Sequence, residues 1–228
     1  MNAHWVLVLA TDLLMPITVF SVGATLLRAR DQGPNAIAIY FTLALVTLWA
    51  AAWSWFPALA TLRFLPAPSG QAGAIAALII VLNLTRFIPS ISAMFQSIDI
   101  KRLIDLGVWR VVYGAAILVI GLLGGLPREF FWSAAFGDIF VGLWALSLIQ
   151  RRPMISTKEI VTWNLLGALD LVHVLALGAV YLRAFYVANP SAVPLNLLPL
   201  AGVPLLLTIH IQTLIVLIKR RASTRVSQ

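Results

Sequence analysis

The chain has 228 residues, 61% of them hydrophobic and only 11% charged, whereas an ordinary soluble domain carries charge on roughly a quarter of its residues. A formal charge of +8 would suit nucleic acid in a soluble protein, but the basic residues fall in short breaks between apolar runs, which excludes nucleic acid and makes the lipid bilayer the expected partner. With no cysteine in the sequence, disulfides, thiolate metal sites and a cysteine nucleophile are excluded as well.

An α-helix rises about 1.5 Å per residue, so roughly 20 apolar residues cross a hydrocarbon core of about 30 Å. Seven segments meet that length, approximately residues 5–27, 36–56, 71–95, 105–123, 129–148, 160–182 and 195–218. The first starts close to Met1, lacks a basic leader and carries Asp12, so it is expected to be a retained helix and not a cleaved signal. Polar or Pro/Gly-containing breaks separate the segments: RARDQGPN, PALATLRFLPAPSG, QSIDIKR, GLPR, RRPMISTK and the stretch around ANPSAVP. Runs of about ten alternating residues, the mark of a membrane β-barrel, are absent. The predicted fold is all-α: one polytopic membrane domain over residues 1–218, a bundle of about seven transmembrane helices, followed by a basic tail over 219–228.

Lys and Arg are retained on the cytoplasmic side during insertion. Eleven of them, Arg28, Arg30, Lys101, Arg102, Arg151, Arg152, Lys158, Lys219, Arg220, Arg221 and Arg225, fall on one side of the predicted bundle. Three, Arg63, Arg128 and Arg183, fall on the other. The amino terminus is therefore expected outside and the tail in the cytoplasm, where its charge acts as a topogenic signal. Trp5, Trp53, Trp55, Phe56, Phe130, Phe131 and Trp132 lie near the outer span ends and are expected to anchor the bundle at the interface.

Arg86 and Arg110 remain inside the third and fourth spans, with Asp12, Asp138 and Asp170 in the first, fifth and sixth, His173 in the sixth and His210 in the seventh. A lone charge at mid-bilayer costs about 2.5–3.5 kcal/mol even on a lenient insertion scale. These groups should consequently face one another, with Asn83, Asn164, Thr208 and Gln212 adding hydrogen bonds. Asn83, Arg86 and Ser90 share one helix face, as do Asp170 and His173. Counted from the outer ends, Arg86, Arg110, Asp170 and His210 lie about 12–15 residues down, or roughly 20 Å; Asp12, Asp138 and His173 lie nearer the outside. Pro16, Pro89, Pro199 and Pro204 stand near this set, and each can free a backbone carbonyl that needs a partner or a cavity.

The stretches FWSAAFGDIFVGLWAL, VTWNLLGALDLVHVLALG and LPLAGVPLLLTIHIQTLIVL resemble a widespread family of functionally uncharacterised seven-span bacterial inner-membrane proteins. The resemblance covers the last four spans, about half the chain. It rests on Trp109–Arg110, Gly137–Asp138, Trp163–Asn164, Asp170 and His210; Gly107 stands where the family often has a polar residue, and His173 falls outside the pattern. The resemblance implies a multi-pass protein of the bacterial inner (plasma) membrane and treats this polar set as one unit.

Three functions follow from these residues. In a small-solute or proton-coupled transporter or channel-like protein, Asp138 and Asp170 exchange protons, Arg86 or Arg110 holds an anionic group or tunes the carboxylates, and His210 relays. In a haem- or metal-binding membrane protein, His173 and His210 are the candidate ligands. The third is a receptor or assembly partner with no turnover; apart from all three, the same groups could form only a structural ion-pair and hydrogen-bond network that fixes helix register. Retinal is disfavoured, because the last span has no Lys before Lys219 for a Schiff base. Gly-x-Ser-x-Gly, His-Glu-x-x-His and intramembrane Glu are all missing, which leans away from an enzyme.

Overall fold

A computed structural model describes residues 79, 80, 82, 83, 87, 89, 99–151, 155–188 and 203–226. The first two predicted spans, with Asp12, and Arg86 of the third lie outside these residues. The described residues form helices joined by short turns, with no strand among them. The five helices that carry the site are α1 Ile100–Val108, α2 Arg110–Leu122, α3 Arg128–Gln150, α4 Thr157–Ala188 and α5 Val203–Val226.

Local chemistry explains where these helices start. Asp99 caps α1: its side chain accepts from the Lys101 amide at 3.2 Å, and its carbonyl accepts from Arg102 at 2.9 Å. Lys101 and Arg102, expected in a loop, are thus the first turn of a helix. Trp109 keeps right-handed helical angles (φ −61°, ψ −18°), so α1 runs on into α2. Ser156 and Glu159 form a reciprocal capping box before α4, with the Glu159 amide 3.2 Å from Ser156 Oγ and the Ser156 amide 3.0 Å from Glu159 Oε2. Pro204 occupies the first turn of α5, where a helix needs no N–H from it. This last helix continues through the basic residues as far as Val226.

Among the described residues, three helical stretches are long and apolar enough to cross a bilayer, Ile100–Leu122, Arg128–Gln150 and Thr157–Leu182, while the apolar part of α5, Leu206–Lys219, is shorter. α3 packs against α1, α2 and α4; α4 packs against α5, which returns to α1. Small residues bring α3 and the α1–α2 stretch into backbone contact. A Cβ on Gly114 would stand 2.9 Å from the Ile139 amide nitrogen, and one on Gly142 2.6 Å from that of Val111. Gly121 meets Phe131 in the same antiparallel register, which sets Arg110 level with Gly142 and Asp138 about one turn nearer the α2–α3 connection.

Two apolar layers bracket that level. Toward the α2–α3 connection lie Tyr113, Ile117, Ile120, Leu126, Phe130 and Phe131; toward the opposite end lie Ile104, Ala145, Leu148, Ile160 and Leu217. Phe130 and Phe131 were expected at the interface, yet both are buried, because the first turn of α3 folds onto the last turn of α2: the Phe131 ring fills the space beside Gly121 and Phe130 joins the same apolar cluster. Trp132 faces outward and stacks on Phe136 at 5.4 Å. Phe140, Leu143, Leu165, Leu169 and Val172 also present exposed apolar surface, the opposite of a soluble bundle's polar exterior.

Candidate functional site

Arg110 is the first residue of α2 and has no exposed surface. Its guanidinium divides its donors among three helices. Nε donates to Asp138 Oδ1 of α3 at 2.6 Å, and Nη2 donates to Asp170 Oδ2 of α4 in a very close ion pair. Nη1 donates to the Gly167 carbonyl of α4 at 3.1 Å and approaches His210 Nε2 of α5 at 3.4 Å. Four of the five guanidinium N–H groups are thereby engaged.

The hydrogen bonds define the state of His210 without reference to titration. Asn164 Nδ2 donates to the Ile160 carbonyl at 2.8 Å, an acceptor only, so Asn164 turns its oxygen toward His210 Nδ1 at 3.0 Å. Nδ1 must then carry the proton. Nε2 faces a guanidinium, which only donates, and so presents its lone pair. His210 is a neutral imidazole bridging Asn164 and Arg110. Trp163 supports it: its indole donates to the Val141 carbonyl at 3.0 Å, and its ring centroid lies 4.7 Å from that of His210.

Glycine makes these approaches possible at two positions. A side chain on Gly137 would run into the Asp170 carboxylate, and a Cβ on Gly167 would stand 2.5 Å from His210 Nε2 and 3.2 Å from Arg110 Nη1. Neither glycine was singled out for this role from sequence; the only signal is that each lies within one turn of a charged residue in an apolar helix.

The charges lie at mid-helix. Arg110 is the eleventh of the 23 residues of Ile100–Leu122, Asp138 the eleventh of the 23 of Arg128–Gln150, and Asp170 the fourteenth of the 26 of Thr157–Leu182. Asp138, expected nearer the outside than Asp170, sits opposite it across the α3–α4 contact, and the long arginine side chain reaches both from a turn away. Asp138 Oδ2 and Asp170 Oδ1 accept no hydrogen bond among the described residues, and the two side chains keep 10% and 15% of their surface exposed.

Of the residues singled out from sequence, Arg110, Asp138, Asn164, Asp170 and His210 come together. Asn83 does not: it is exposed, and its amide turns back to the Ile79 carbonyl at 2.7 Å. Thr208 and Gln212 are buried on α5. His173 is exposed and lies 3.0 Å from Ser133 Oγ. His210 packs beside Gly167, six residues before His173 on α4, or about 9 Å of helical rise. Both His210 nitrogens are engaged, and no group of three His, Cys, Asp or Glu among the described residues stands close enough to share a metal ion.

The helices and the centre they enclose fall within one family. The family described as Domain of unknown function (DUF8737) matches residues 67–218, and the chain belongs to it. No curated protein matches the chain, and no solved structure does.

Proposed function

We propose that the protein is a seven-span protein of the bacterial inner membrane, amino terminus outside and tail in the cytoplasm, that moves a small solute in exchange or together with protons through the Arg110 centre. The observation that carries this reading is the sharing of one guanidinium between two carboxylates at mid-helix. One cation, two carboxylates and a neutral imidazole leave an excess negative charge when both acids are ionised. In hydrocarbon that excess costs about 2.5–3.5 kcal/mol, so the centre favours holding one further positive charge, and a proton is the smallest. Asp138 Oδ2 and Asp170 Oδ1, which accept no hydrogen bond among the described residues, are the atoms to receive it. Arg110 keeps the remaining carboxylate ionised and in place, while His210, held by Asn164, fixes the guanidinium. The test is uptake of a panel of small solutes into proteoliposomes under an imposed pH gradient. Asp138→Asn is expected to abolish uptake; silence across the panel, with or without the gradient, overturns the proposal.

The complete burial of Arg110 favours a second reading, in which the centre only locks α2, α3, α4 and α5 in register. A lock of this kind is replaceable by apolar side chains of similar size at no loss of stability. The triple variant Arg110→Met, Asp138→Leu, Asp170→Leu distinguishes the two: a lock predicts a folded protein with unchanged uptake, a proton site a folded protein with none.

A further inference from the structure

Ser133 and His173 play no part in the centre, yet they lie on the groove that leads to it. On α3, Glu129, Ser133 and Gly137 follow at intervals of four and so share one face. On α4, Asp170 and His173 are three apart on a face that meets it: Asp170 Oδ1 lies over Gly137, and one turn further along the same groove His173 Nε2 meets Ser133 Oγ at 3.0 Å. Glu129, a turn beyond, is exposed at the start of α3. The missing side chain at Gly137 makes room for Asp170 Oδ1 against α3, while Arg110 holds the other oxygen. On the opposite side of the centre Ile104, Ala145, Leu148, Ile160 and Leu217 pack together in an apolar cluster.

We infer that this groove is the proton access to the centre and that His173 is its relay to Asp170, an inference that rests on the proton-site reading above. The exposed imidazole takes a proton on one ring nitrogen and releases one from the other to Asp170 Oδ1, directly or through a bridging water. One proton arrives and one leaves, so the ring ends neutral in its other tautomer. Ser133, able both to donate and to accept, keeps a partner for Nε2 in either tautomer. The charged or titratable groups facing the route are Glu129 and Asp138 of α3, Asp170 of α4, Arg110 at the head of α2 and His210 of α5. With the topology proposed above, the centre loads from the outside.

The experiment is a pH jump on the full-length protein in liposomes, following the infrared band of protonated carboxyl groups. The wild type is expected to show rapid growth of this band, and Asp170→Asn to lose most of it. His173→Ala is expected to reach the same final amplitude about a hundredfold more slowly, the lower end of what a positioned proton-transfer group contributes. Imidazole added on the outside should restore its rate, and should do nothing for Asp170→Asn. His173→Gln, which retains a partner for Ser133 but cannot titrate, should be as slow as His173→Ala. A His173→Ala rate equal to wild type, or one that imidazole leaves slow, overturns the relay while the centre stands. A band that Asp170→Asn and Asp138→Asn both leave intact overturns the proton site itself.

Discussion

Arg110 and Arg151 both pair with carboxylates, and their surroundings separate them. Arg110 is fully buried and shared between Asp138 and Asp170, whose side chains are nearly covered. Arg151, at the α3–α4 connection, reaches Glu159 at 3.1 Å with 61% and 37% of the two side chains exposed; it also donates to Ser147 Oγ at 2.8 Å. The same guanidinium–carboxylate chemistry therefore does different things. At the connection, water screens the pair and would hydrate either member alone. At mid-helix, removing one partner leaves the other as an uncompensated, largely buried charge, so each is tolerated only through the other.

The comparison is broken most forcefully by Arg110→Leu, which leaves two carboxylates without a counter-charge. A loss of about 3–5 kcal/mol is expected, measured by unfolding in detergent micelles; a variant as stable as wild type would mean that the acids are not held as ion partners. Gly137→Ala changes no charge but drives a methyl group into Asp170. Its expected cost is about 1–3 kcal/mol, typical of overpacking, and it should impair uptake along with stability because the Asp170 oxygen beside the groove must shift. Arg151→Ala supplies the lower bound. Its melting temperature at physiological salt is expected to match wild type within error, in keeping with an exposed pair, and uptake should be unaffected.

Much of the centre was legible in the sequence because charge in an apolar run is conspicuous. Arg110, Asp138 and Asp170 could be picked out, and the cost of isolating any of them required partners. Which partners they chose was not legible. Asn83 and Asn164 each donate to the carbonyl four residues back on their own helix, but Asn83 is exposed while Asn164 is buried and orients His210 with its oxygen. As imidazoles in apolar helices, His173 and His210 differ in sequence only in that the family pattern takes in His210; the fold encloses His210 between Asn164 and Arg110 and leaves His173 exposed beside Ser133. Phe130 and Phe131 resembled interfacial anchors by position, and only the fold of α3 onto α2 shows them in the core.

The sequence by itself determined helical class, long apolar stretches and the identity of the charges within them, since these depend on composition and on the helical rise of about 1.5 Å per residue. Tertiary structure alone decided the register between helices, which is set by glycines that admit neighbouring backbones and side chains. That register places Asp138 opposite Asp170, gives the Gly167 carbonyl to Arg110 and fixes the tautomer of His210, because hydrogen bonds depend on tenths of an ångström that residue spacing does not carry.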